Sequence, residues 1–275
     1  ILSRKAVVTA SHNSSERESA AACLPGTCED VLDRVYTWAD SRTDNTVCLV
    51  YGPLGSGKST LATTIAEKYD RENRLAGTFF FSGDPSHDPE RRSLDRFVAT
   101  IAYQNSISHP NVKKKVIQVL DSDPAILSKS LEIQFDNLLV SPFRRPFLYP
   151  PPMIVVIDAI NECHGPLQMF IKILADKYCE SPPPIRFFVT SRPEEEILGE
   201  FNCFPKRVYP LNLTDFPAHK DIEIFCKNGF NTLRNKHLIY RGSQNVGDWP
   251  SPQDLDLSVG KSEGLFVYAS SLLNF

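Results

Sequence analysis

Between an apolar run, TVCLVY at 46–51, and a helix-forming run, KSTLATTIAEKY at 58–69, the chain carries GPLGSGKST. Gly52, Gly57, Lys58 and Ser59 stand on the fixed positions of GxxxxGK[ST]. Four such positions coincide by chance in roughly one chain in a hundred of this length. A strand, a glycine-rich turn and a helix in that order place the turn at the carboxyl edge of an α/β sheet. There the backbone N–H groups of Gly55, Ser56, Gly57 and Lys58 can surround a phosphate at the positive end of the helix. Lys58 would reach the β and γ phosphates, Ser59 would offer a hydroxyl to Mg²⁺, and Thr60 could touch the α phosphate. The bland alternative is a glycine-rich turn that holds no ligand.

The rest of the chain alternates in the same way. Val31, Leu32, Val35 and Trp38 recur at helical spacing from Glu29 to about Ala39. AGTFFFS at 76–82 reads as a strand, and Leu94, Phe97, Val98 and Ile101 mark an amphipathic helix. Helices are expected at 111–120 and 128–139, then a proline-rich loop, Pro142 to Pro152. MIVVID at 153–158 has the branched side chains of a strand covered on both faces. A helix over 165–178, a loop at Pro182 to Pro184, a strand at 185–191 and a short one at 207–211 complete the pattern. Five strands joined largely by helices predict an α/β fold with a five-stranded parallel sheet flanked by helices. Beyond Leu213, DIEIFCKNGF, PSPQDLDLSV and GLFVYASSLLNF carry helical patterns without a strand between them, so a small C-terminal helical domain is expected.

Composition narrows the choice. The 275 residues suit one large domain or two modest ones. Thirty basic against thirty-three acidic residues argue against a nucleic-acid partner, which would call for a basic footprint. The longest apolar runs fall far short of the roughly 18 residues of a membrane span. Seven scattered cysteines without a CxxC pair suit a reducing compartment, so a cytoplasmic location is expected, with Cys48 and Cys163, in or beside apolar runs, acting as small hydrophobes. The six histidines show no metal-ligand spacing, and Lys113 to Lys115 read as a solvated helix face. Trp38 and Trp249 read as core or loop anchors. The expected division is a polar, flexible lead-in over 1–20, a piece with the first helix over 21–43, a nucleotide-binding core over 44–212 and helices over 213–275.

Two further elements carry chemistry. The strand at 153–158 ends in Asp158, a carboxylate at the ligand edge that can hold the water shell of Mg²⁺, and Glu162 could orient an attacking water. The strand at 185–191 delivers Thr190, Ser191 and Arg192 to the same edge, where Arg192 could read a γ phosphate.

CLPGTCEDVL, YGPLGSGKST, VVIDAINEC and RFFVTSRPE, in this order, resemble the NACHT-type signalling NTPases of fungal NOD-like receptors, part of the STAND class of switch ATPases. The resemblance runs from about Cys23 to the end of the chain. It implies ATP and ADP as ligands with Mg²⁺, adenine contacts at Leu24, Pro25, Gly26 and Thr27, and a helix around EGLFVYASSLL whose start closes over the nucleotide. It also implies self-association on activation, a setting in fungal innate immunity or non-self recognition, and further domains in a longer protein. The chain departs from the family at Cys28, where members often carry Arg, and at Asn161-Glu162, where they often read Asp-Glu. Phe266 stands where related switches carry Pro. Turnover is therefore expected to be slow. A small-molecule P-loop kinase and a nucleotide-binding scaffold without hydrolysis are the competing functions.

Overall fold

The computed structural model describes residues 2–17, 22–41, 43–143, 151–175, 185–236 and 250–273. Its frame is a parallel sheet of β1 (Val47–Tyr51), β2 (Leu75–Phe80), β3 (Met153–Asp158), β4 (Ile185–Ser191) and β5 (Val208–Asn212), in the spatial order β2-β3-β4-β1-β5. Strand by strand, alternate side chains enter opposite faces. Val47, Leu49, Val155 and Ile157 join one buried cluster, while Cys48, Val50, Ile154 and Val156 join the other. This explains the unbroken apolar runs, because a sheet covered on both faces has no polar side. Pro210 lies in β5, an edge strand, where its missing N–H interrupts no inner ladder.

The helices are α1 (Leu2–Lys5), α2 (Glu29–Asp40), α3 (Lys58–Arg71), α4 (Phe97–Ser108), α5 (Pro110–Ser122), α6 (Leu131–Phe135) and the three-residue α7 (Ser141–Phe143). They continue as α8 (Leu167–Ala175), α9 (Glu195–Asn202), α10 (His219–Lys236), α11 (Pro252–Lys261) and α12 (Phe266–Leu273). α2 and α3 cover one face, and α4, α5, α6, α8 and α9 the other. At about 1.5–3 kcal/mol for each large apolar side chain, burial on these two faces is the dominant stabilising term. Arg186, wholly buried at the start of β4, donates to the carbonyls of Ser41 and Thr43, both at 2.8 Å, and to that of Trp38. It anchors the end of α2, and Trp38 is buried beside it as expected.

Several expectations need correction. The lead-in is packed rather than mobile over residues 2–17. Leu2, Val7 and Ala10 are buried, Val7 N donates to Thr100 Oγ1 and His12 N to Thr78 Oγ1, both at 2.9 Å. The segment thereby covers the exposed edge of β2, which an unprotected strand would leave open to pairing. α4 is buried on most sides at its start, since α5, α6 and the lead-in surround it, so it lacks the polar face expected of an amphipathic helix. The single helix expected over 128–139 is a 3₁₀ turn (Ile126–Ser128), α6 and a π turn (Asp136–Val140). Lys113 and Lys114 are solvated, while Lys115 is half-buried and donates to the Pro142 carbonyl at 2.9 Å. Residues 18–20, most of the loop between Pro142 and Pro152, the expected helix end at 176–178, Pro182 to Pro184 and Trp249 lie outside the described residues.

α10, α11 and α12 share a separate small cluster of Ile222, Cys226, Leu255, Val259 and Ala269. α11 is started by a capping box, with Ser251 and Asp254 exchanging bonds and Pro252 in the first turn. Among the described residues no helix is long and apolar enough to cross a membrane.

Candidate nucleotide-binding site

The strand order decides where chemistry can gather. β4 lies between β3 and β1, with Tyr51 level with Ser191 and Ile157 level with Val189. The carboxyl ends of the three strands therefore deliver the glycine-rich loop, Arg192 and Asp158 to one edge. A cavity of about 420 Å³ opens there.

Gly55 and Gly57 have φ of +79° and +89°, a left-handed conformation that lets the loop wrap back on itself before α3 starts. Gly55, Gly57, Lys58, Ser59 and Thr60 all line the cavity, whereas Gly52 and Ser56 do not. Lys58 Nζ donates to the carbonyls of Gly52 at 2.8 Å and Pro53 at 2.6 Å. Its charge is thus held on the loop itself. Burial lowers the ammonium to about 8; Asp158 opposes that fall and Arg192 adds to it. Asp158 is buried and accepts from Thr190 Oγ1 at 2.5 Å, while Ala159 N donates to the same hydroxyl at 2.9 Å. Thr190 therefore fixes the carboxylate and the left-handed turn at Ala159, φ +56°.

The remaining charged pair is closed on itself. Arg192 Nη2 donates to Glu162 Oε1 at 3.2 Å, and Gly83 N donates to Glu162 Oε2 at 2.6 Å. Asn161 Oδ1 accepts from Arg192 N at 3.1 Å. Both carboxylate oxygens of Glu162 are engaged, and Arg192 is turned toward Glu162.

The opposite wall is apolar. Leu24 and Thr27 line it, while Pro25 and Gly26 form the outer part of a turn closed by Thr27 N and Thr27 Oγ1 donating to Leu24 O at 3.0 and 2.7 Å. Cys23, Cys28, Phe225, Phe266, Val267 and Ser270 complete the wall. A Cβ on Gly55 would lie 2.3 Å from Val267 Cγ1, so α12 rests directly on the loop. Cys28 N donates to Asp221 Oδ2 at 2.9 Å, tying α10 to the start of α2. Phe225, Val267 and Asp221 escaped the sequence reading. Their only local signal is an amphipathic helical pattern, and which face meets the loop depends on the packing of three helices.

The donor set suits a magnesium nucleotide. A helix N-terminus and a lysine face the cavity that also holds the Ser59 hydroxyl and the Asp158 carboxylate, hard oxygen donors of the kind Mg²⁺ takes.

The family model described as Nephrocystin 3, N-terminal, matches residues 26–192, well over half of the chain. The chain belongs to this family. The match opens in the Leu24–Thr27 turn and ends on Arg192, so the nephrocystin 3 N-terminal region spans the glycine-rich loop, Asp158 and the arginine of the edge. With the parallel sheet and its loop, this makes the chain a P-loop NTPase type of domain. Among solved structures it is similar to C. elegans PCH-2, with 14% identity and a TM-score of 0.42 over 91% of this chain. The chain spans 62% of the length of that protein chain. No curated protein matches it.

Proposed function

We propose that this chain is a NACHT-type switch that binds ADP and ATP with Mg²⁺ and hydrolyses ATP slowly. One observation carries the reading: α12 seats Val267 on Gly55 and Phe266 over Gly57, so the helical layer rests directly on the phosphate loop. A ligand that fills the loop changes what that layer rests on.

In this reading the loop amides and Lys58 hold the phosphates, and Gly52 and Ser56 shape the loop. Ser59 and Asp158 would hold Mg²⁺, which would neutralise charge on the phosphates. Leu24 and Thr27 receive the base, on a turn built by Pro25 and Gly26, opposite Phe225 and Phe266. Arg192 must leave Glu162 to reach a γ phosphate. Glu162 must also release Gly83 before it can orient water, and Asn161 offers no carboxylate in its place. Slow turnover follows from those two exchanges. The division into a base-side piece over 21–43, a core over 44–212 and a helical unit over 213–275 belongs to the same proposal. So does self-association when the helical unit lifts; a setting in fungal non-self signalling rests on motif resemblance alone.

Analysis of nucleotide carried through purification tests the reading. Copurified ADP, with binding lost in Lys58→Ala, is the expected result. Rapid phosphate transfer to a small acceptor would overturn it in favour of a kinase. Binding of ATP without any single-turnover hydrolysis would reduce it to a scaffold.

A further inference from the structure

Two thiols face each other on the apolar wall of the cavity. Cys23 and Cys28 bracket the Leu24–Thr27 turn, both line the cavity, and each thiol shifts the titration of the other through a side-chain contact. Each is tied to a different layer. Cys23 N donates to Thr64 Oγ1 at 2.8 Å on α3, the helix of the phosphate loop, and Cys28 N donates to Asp221 Oδ2 on α10. The other cysteines of the described residues differ. Burial pushes the thiols of Cys48, Cys163 and Cys226 up, and Cys203 sits on the surface with its thiol on the Gly199 carbonyl of its own helix. At Cys23 the bond from Cys28 lowers the thiol below its ordinary range, outweighing burial, while the same contact and burial push the Cys28 thiol up. A reactive thiol beside a resolving thiol, both reachable from a cavity, is the arrangement of a redox-sensing pair.

We propose that Cys23 and Cys28 are a reversible dithiol pair whose closure to a disulfide weakens ligand binding in the cavity and loosens the helical layer. The second half rests on the nucleotide reading of the site. The oxidant is a peroxide. The Cys23 thiolate attacks one peroxide oxygen, the O–O bond breaks, and the other oxygen leaves as water after taking up a proton, giving a sulfenic acid on Cys23. The Cys28 sulfur then attacks the Cys23 sulfur; the S–O bond breaks, the Cys28 proton passes to the departing hydroxide, and a second water leaves. Two thiols are oxidised by two electrons and one peroxide is reduced to two waters. A dithiol reductant reverses the step by exchange. The covalent bond draws the sulfurs together, twists the turn and pulls the Cys28 amide away from Asp221.

The test treats the whole chain with hydrogen peroxide, digests it with trypsin under thiol-blocking conditions and weighs the peptide 18–34, which contains both cysteines. The expected peptide has lost two hydrogens and regains them with dithiothreitol, and Cys28→Ser traps a dimedone-reactive sulfenic acid on Cys23. ADP affinity by calorimetry should fall about tenfold on oxidation, within the range of coupled sites, and recover on reduction. The Cys23→Ser/Cys28→Ser double variant should show no response to peroxide. An unmodified peptide, pairing with other cysteines, or a disulfide that leaves ADP affinity unchanged would overturn the proposal. A reduced protein that binds no ADP would refute the nucleotide reading instead, and the mass shift would still decide the pair.

Discussion

The sheet core and the C-terminal helical layer are built to different standards. In the core, Phe97 packs on Phe79, Phe135 and Phe170 with ring centroids 5.6, 6.4 and 4.9 Å away, and β1 to β4 have both faces covered. The helical layer has a small cluster of its own and meets the core through the Asp221 bond, the long Val267 N to Gly55 O contact at 3.4 Å, and apolar contacts at the loop. Regions with few buried contacts open at a small fraction of the global unfolding free energy. The layer can therefore lift while the sheet stays intact, which is what a switch requires of its moving part.

The comparison can be broken most forcefully from the core side. Phe97→Ala should cost about 3–5 kcal/mol and shift the unfolding transition of the sheet core in chemical denaturation. If only the helical layer unfolds earlier, the two regions do not differ as described. Next in size is Gly55→Ala. A Cβ at φ +79° against Val267 Cγ1 should cost about 2 kcal/mol through strain and overlap, relieved by displacing α12. Hydrogen exchange should then show lost protection over 266–273 and unchanged protection in β3 and β4. A smaller effect is expected from Asp221→Ala. Removal of the acceptor for Cys28 N should cost about 1.5 kcal/mol, confined to exchange in α10 and the start of α2.

The smallest effect concerns the loop between the two regions. Burial brings Lys58 down to about 8 in the folded chain from its ordinary 10.5 in the unfolded one, so between those values the unfolded chain holds the extra proton. Stability should therefore rise with pH from about 8 to about 10.5, by about 1 kcal/mol once solvent screening of this half-exposed group is allowed for. Lys58→Met should flatten that rise in denaturation curves measured across the window. A slope of the opposite sign would show that the ammonium is stabilised, not strained, on the Gly52 and Pro53 carbonyls.

What was legible in the sequence is local. The glycine spacing located the phosphate loop, the branched apolar runs located five strands, and the positions of Asp158 and Arg192 at the ends of two of them placed both at one edge, because a parallel sheet aligns its carboxyl ends. Tertiary structure alone decided the partners. Whether Leu2, Val7 and Ala10 are enough to dock a polar lead-in depends on β2 being an edge strand, which its own residues do not announce. The same holds for Arg192, closed on Glu162 rather than held ready, and for Lys58, folded onto the carbonyls behind it. The spacing of Cys23 and Cys28 does not mark them as a pair; the turn between them brings both to one cavity wall. Spacing along a chain determines which backbone conformations are favourable, whereas charge pairing and burial depend on groups tens to hundreds of residues apart, and only the packed fold sets those distances.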